Sequence, residues 1–185
     1  MQELMVKDIM VPLSAYAMVD SEATLFEAIL ALDRAQAAFD QSRYPHRAVL
    51  VLDQNQTVVG KISQFDILRA LEPRYAEIGS PDTVSGAVFS PKFMQSMLAK
   101  YDLWQEPLED ICRRAGQLKA SNFMTSFSQG EYIEERLLLR EAIHQVVMGR
   151  YHSLLVVGKN GKISGLLRLT DLFQEISQAV KACRR

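Results

Sequence analysis

Two stretches of this chain spell the same order of elements, and a chain written that way folds as one supersecondary unit used twice. Val6-Lys7-Asp8-Ile9-Met10 is matched by Ala120-Ser121-Asn122-Phe123-Met124, and Phe26-Glu27-Ala28-Ile29 by Arg140-Glu141-Ala142-Ile143, both pairs 114 residues apart. Gly60 to Asp66 (GKISQFD) is matched by Gly165 to Asp171 (GLLRLTD) at an offset of 105, so the first copy carries nine extra residues between its Glu-Ala-Ile helix and its next strand. They fall within Ala35 to Arg47, a polar stretch with Pro45, where an insertion costs little.

Each copy reads as β-α-β-β-α. In the first, Tyr16 to Val19 is a short strand, and Thr24-Leu25-Phe26-Glu27 is a capping box opening a helix with Leu25, Ala28, Ile29 and Leu32 on one face. Ala48 to Leu52 is an apolar strand, Gln54 to Gln56 a turn, and Thr57 to Ser63 a strand that hands over to a helix at Ile67, Leu68 and Leu71. In the second, Leu154 to Val157 turns at Asn160-Gly161 into Lys162 to Leu167, and a helix carrying Leu172, Phe173 and Ile176 follows. A unit of about 60 residues leaves one sheet face uncovered, so the two copies are expected to pack sheet to sheet. The division is residues 1–72, first repeat; 73–119, helical insertion; 120–185, second repeat.

The D-I-M or N-F-M opening, the E-A-I helix, the apolar strand with its turn, and G-h-h-S-x-x-D-h, in that order and twice, resemble the repeat of cystathionine β-synthase (CBS) domains. A tandem pair resembles a Bateman module. The resemblance covers Val6 to Leu71 and Ala120 to Ile176, about two-thirds of the sequence. It implies an α/β (α+β) regulatory fold whose repeats are related by a pseudo-twofold axis, with clefts that in many members hold AMP, ADP, ATP or S-adenosylmethionine. It also implies a disc-like homodimer and an effector protein to read the signal. In members, the Ser/Thr and Asp of the last motif contact ribose and phosphate, and the adenine rests on apolar strand residues.

The residues carry their own chemistry. Asp66 at a helix start can accept hydrogen bonds from both hydroxyls of a ribose, and Ser63 stands beside free N–H groups that suit a phosphate. The same pair also reads as a capping box, Ser63 at the N-cap and Asp66 reaching back. His46 and Arg47 precede the strand that borders the cleft in family members, and His152 has the corresponding place in the second copy; a cation there suits a polyphosphate, and the alternative is a solvated side chain. The second motif departs from the pattern: Asp171 is present with Thr170 next to it, but Arg168 stands where Ser or Thr belongs. Arg168 is either a phosphate clamp or a plug that pairs with Asp171. One usable site per chain, governed by Asp66, is the expectation.

Lys and Arg number 21 against 22 Asp and Glu, so no basic excess points to nucleic acid or an anionic membrane. No apolar run approaches the roughly 20 residues that span a bilayer, and the N-terminus lacks a signal-peptide pattern, which predicts a cytoplasmic protein. Cys112 and Cys183 lack metal or redox spacing, the three histidines show no metal pattern, and no hydrolase elbow or phosphate loop appears, so an enzyme is not expected. In the insertion, Ser90-Pro91 starts a helix with Phe93, Met94, Met97, Leu98 and Tyr101 in one stripe, and a second begins at Pro107 with Leu108, Ile111, Cys112 and Ala115. The segment is extra core or packs against the repeat pair, or else it is a dimer contact or a lid over the cleft. The leading expectation is a non-catalytic sensor of an adenine nucleotide; the rival is an interaction module whose clefts are vestigial.

Overall fold

The computed structural model describes residues 3–39, 42–78 and 90–183. Parts of the Ala35 to Arg47 stretch and of the 73–119 insertion therefore lie outside the described residues. The first copy runs α1 (Val6–Ile9), β1 (Val11–Pro12), β2 (Met18–Asp20), α2 (Leu25–Ala38), β3 (Ala48–Leu52), β4 (Val58–Ser63) and α3 (Gln64–Leu71). The insertion supplies α4 (Tyr75–Ile78), α5 (Pro91–Lys100) and α6 (Leu108–Ala115). The second copy runs α7 (Ala120–Phe123), β5 (Tyr132–Glu134), α8 (Leu139–Gly149), β6 (Ser153–Val157), β7 (Ile163–Arg168) and α9 (Leu169–Ala182).

Local chemistry sets the boundaries. Thr24 Oγ1 accepts the Glu27 amide at 3.2 Å while the Glu27 carboxylate accepts the Thr24 amide at 2.7 Å, so the expected capping box starts α2. Asp53 Oδ1 accepts the amides of Asn55 and Thr57, which closes the turn through Gln56 at φ 60°. The second hairpin turns at Gly161, whose φ of 74° only glycine adopts without cost. The short strand of the first copy begins two residues later than expected, at Met18, with Tyr16 and Ala17 buried just before it.

Strand order is β2-β3-β4 in one sheet and β1-β7-β6-β5 in the other. In each, a parallel pair (β2 with β3, β5 with β6) is followed by an antiparallel one, and both hairpins slip register at the same place, Val51/Leu52 and Val156/Val157. The sheets face one another across Val11, Tyr16, Leu50, Val58, Leu155 and Leu166, the sheet-to-sheet packing that the uncovered faces required.

The lead-in segments change places. Val11 of β1 pairs with Leu166 of β7, and Thr125, just after α7, bridges Lys61 of β4. Val6 and Ile9 of α1 are buried in the helix-side core of the second copy with Leu139, Ala142, Val146 and Leu172, and Ala120 of α7 joins Leu25, Ala28 and Ile62 in the first. Backbone bonds repeat the symmetry: Val6 N to Leu137 O and Leu139 N to Leu4 O in one half, Ala120 N to Ala23 O and Leu25 N to Leu118 O in the other. Each copy thus completes its core with the other's first turn.

The insertion is anchored at its ends. Glu72, 2% exposed, accepts two bonds from the Arg74 guanidinium (2.7 and 2.9 Å), the Arg74 amide at 3.2 Å and the Trp104 amide at 2.6 Å, and Arg114 bonds the Leu71 carbonyl and Glu106. Ser90 caps α5 with Pro91 at its first position, but no residue of α5 is buried; Met94 and Leu98 are nearly half exposed. The stripe is therefore not core within this chain. On α6 only Ala115 is buried, whereas Leu108 and Cys112, expected on the same face, are exposed. Among the described residues, no helix is long and apolar enough to cross a membrane.

Candidate functional site

Strand β4 runs into α3 at Ser63, whose extended backbone makes it the N-cap. Asp66 Oδ2 accepts both the Ser63 amide (2.8 Å) and the Ser63 hydroxyl (2.5 Å), and Ser63 Oγ accepts the Asp66 amide at 3.2 Å. The capping box is present. The other oxygen, Asp66 Oδ1, accepts the hydroxyl of Thr125 at 3.1 Å, delivered by the lead-in segment of the second copy. Asp66 and Ser63 remain partly exposed. A carboxylate satisfied by hydroxyl donors can exchange them for the hydroxyls of a sugar without leaving an unpaired charge.

Thr125, which bonds Asp66, also pairs through its backbone with Lys61 of β4, and so brings a charged group beside the site. Lys61 is paired across the strands with Leu50 and so lies on the face turned toward the other sheet. Its ammonium sits 4.9 Å from the Phe127 ring centroid and bonds Glu131, which is almost fully buried. Burial alone would raise the Glu131 carboxyl; Lys61 and the N–H and hydroxyl of Ser128 hold it below the usual carboxylate range. The pseudo-equivalent positions in the second cleft are Leu166 and Ala17, both buried and apolar. Sequence reading missed Lys61, Thr125 and Glu131. The first two were marked only by their spacing from the Gly60 and Met124 motifs, and nothing in the sequence pairs Lys61 with Glu131.

The second cleft is built differently. Arg168 forks onto Asp171 through Nε to Oδ2 (2.7 Å) and Nη2 to Oδ1 (2.6 Å), and both residues are buried. Its Nη1 donates to the Tyr44 carbonyl at 2.8 Å. Arg43 adds a second guanidinium on Asp171 Oδ1 at 2.9 Å. Thr170 stands partly exposed one residue before. His46 is fully buried, neither ring nitrogen having a hydrogen-bond partner of good geometry among the described residues, and is packed against Tyr16 (4.5 Å between centroids) and Phe39 (4.1 Å). Burial pushes its imidazole down to about 4, with Arg168 adding to the fall and Ala15 and Asp171 opposing it, so it is neutral at pH 7. Burial likewise pushes Tyr16 up to about 12. His46 is thus neither a surface cation nor a donor to a phosphate in this arrangement. Arg47 and His152 are exposed and occupy equivalent places, their carbonyls accepting the first amides of α3 (Gln64) and α9 (Leu169).

The structure therefore gathers the eight candidates into two unequal groups, Ser63 and Asp66 with Arg47 nearby, and Arg168, Thr170 and Asp171 with His46 and His152. Asp66 lines neither of two open depressions, about 370 Å³ around Glu134, Lys159 and Gly161 and about 400 Å³ between Tyr44 and Phe173. Among the described residues no group of three His, Cys, Asp or Glu is placed to hold a metal ion.

No curated protein matches the chain. Solved structures do. CBSX2, a CBS-pair protein of Arabidopsis thaliana, in its complex with AMP, superimposes with TM-score 0.56 at 19% identity, covering 95% of this chain and 98% of that one. The CBS domain of a membrane protein from Sphaerobacter thermophilus gives 0.61 at 21% (94% and 88%), and that of a bacterial CNNM/CorC family Mg2+ transporter in complex with ATP gives 0.59 at 18% (95% and 89%). At these identities the likeness is one of fold. The family model for the CBS domain matches residues 3–73 and again 128–178, and since those two regions make up most of the chain and fold as one pseudo-symmetric pair, the chain belongs to the CBS domain family as a tandem pair, a Bateman module.

Proposed function

We propose that this chain is a non-catalytic regulatory module of the cytoplasm that binds an adenine nucleotide, AMP, ADP, ATP or S-adenosylmethionine, in the cleft governed by Asp66, and passes its occupancy to an effector protein through the packing of the two repeats or of a homodimer. The observation that carries this reading is the Asp66 carboxylate, partly exposed and held by the hydroxyls of Ser63 and Thr125 from opposite copies. A ribose diol replaces those hydroxyls, and because Thr125 comes from the second copy, its displacement is felt by both. Lys61, Ser63 and the α3 N-terminus supply donors for phosphate. Two similar structures hold AMP and ATP, which supports the ligand class.

Thermal shift with each of the four ligands at millimolar concentration tests it. At a hundredfold excess over Kd the stabilisation is about 2.7 kcal/mol, a rise of roughly 5–10 °C for a chain of this size, and Asp66→Asn abolishes it. No rise with any of them favours the second reading, an interaction module with vestigial clefts, for which the locked Arg168–Asp171 pair speaks.

A further inference from the structure

The described residues of the stretch that lengthens the first copy make contacts with the second. Phe39 and Ser42 to His46 dock on the second copy around Asp171. Arg43 Nη2 bridges Asp171 Oδ1 (2.9 Å) and the Ile9 carbonyl (2.8 Å), the Tyr44 carbonyl takes Arg168 Nη1, and the Ser42 carbonyl accepts Gln174 Nε2 at 3.4 Å. The Phe39 ring lies 5.2 Å from the Arg168 guanidinium carbon and 5.6 Å from that of Arg43.

We propose that this insert is an occupant built into the chain, with Arg43 acting in cis as the ligand of Asp171, so that the second cleft is closed by the protein's own sequence. The comparison lies within the molecule. At Asp66 the Oδ1 atom holds, among the described residues, the hydroxyl of Thr125; the equivalent of Thr125 in the other half is Val11, which has none, and Arg43 delivers a guanidinium to the same oxygen of Asp171 instead. Two cations hold both oxygens of Asp171, which is 3% exposed, and His46 with Tyr16 and Phe39 fills the space beside them. A neutral diol cannot displace a forked guanidinium pair from a buried carboxylate, since the cations would be left unpaired. Among the described residues, no arginine reaches Asp66.

The inference rests on the proposed reading of Asp66, and calorimetry separates the two. Titrated in turn with AMP, ADP, ATP and S-adenosylmethionine, the whole chain takes up one equivalent of at least one of them, whereas Arg43→Ala/Arg168→Thr takes up two of the same ligand, and adding Asp171→Asn to that variant returns it to one. A folded double variant that still binds one equivalent overturns the plug and leaves the Asp66 reading intact. Binding by the double variant alone, removed by Asp171→Asn, upholds the plug and overturns the Asp66 reading; binding by neither overturns both. Should the double variant fail to fold, Arg43→Gln/Arg168→Gln, which keeps donors for the Ile9 and Tyr44 carbonyls, carries the same readout.

Discussion

Gly60 and Gly165 hold equivalent places where the other copy's lead-in segment crosses the sheet. A Cβ on Gly165 would stand 2.4 Å from the Val11 carbonyl oxygen, a rigid backbone atom; on Gly60 its nearest neighbour would be the flexible Met124 thioether at 2.8 Å. Gly165→Ala is therefore expected to cost about 2–3 kcal/mol in urea unfolding and Gly60→Ala about 1 kcal/mol. Both glycines were visible as motif letters, but their reason was not, because the crossing backbone is more than fifty residues away in sequence. His46 shows the same limit: its letters read as a surface cation, and only packing against Tyr16 and Phe39 makes it a buried neutral ring. With the folded imidazole at about 4 and the ordinary value at 6.5, the unfolded chain binds more protons between them. Stability is then full above about pH 6.5 and declines as pH falls through 4, by about 3 kcal/mol in all. The depressed carboxyls of Glu72 and Glu131 add their losses lower, as pH falls through their folded values. Urea midpoints from pH 7.5 to 5 should decline in the wild type and stay nearly flat in His46→Phe.

Among the elements, the hairpins and α2, α3, α8 and α9 were legible because their signals are local: capping letters, alternating apolar strands, an Asn-Gly turn. What the sequence could not show is where α1 and α7 spend their apolar side chains, since a four-residue helix carries no address. Ile9 belongs to the first copy by position and to the second by burial, packed with Leu139, Val146 and Leu154. Ile9→Ala is expected to destabilise by about 2–4 kcal/mol. Hydrogen exchange locates the loss: amides of α8 and β6 should lose protection before those of α2 and β3, the reverse of what chain position implies. The insert after α2 is the second such case. Its polar letters predicted only a place where an insertion costs little, and the contacts of Arg43 and Tyr44 with Asp171 and Arg168 span more than a hundred residues.

At the scale of the whole molecule, the outer helix faces are unfinished. Phe65 and Leu68 on α3, Val147 and Met148 on α8, and Phe173 and Val180 on α9 are all more than half exposed. A monomer rarely leaves such a surface to water, and a self-complementary patch closes with twofold symmetry, which is the basis for expecting a homodimer. Leu68 and Phe173 are equivalent positions, so Leu68→Lys/Phe173→Lys puts a charge at both halves of that face without entering either core. Light scattering should report a dimer for the wild type and a folded monomer for the variant, its circular dichroism unchanged. The stripe on α5 makes a separate test: since none of its residues is buried, Met94→Lys/Met97→Lys should fold, and it dissociates the dimer only if α5 also contributes to the contact. A wild-type chain that runs as a monomer at micromolar concentration removes the dimer from the proposal, and an unfolded Met94→Lys/Met97→Lys variant would mean that α5 packs more deeply than its exposure indicates.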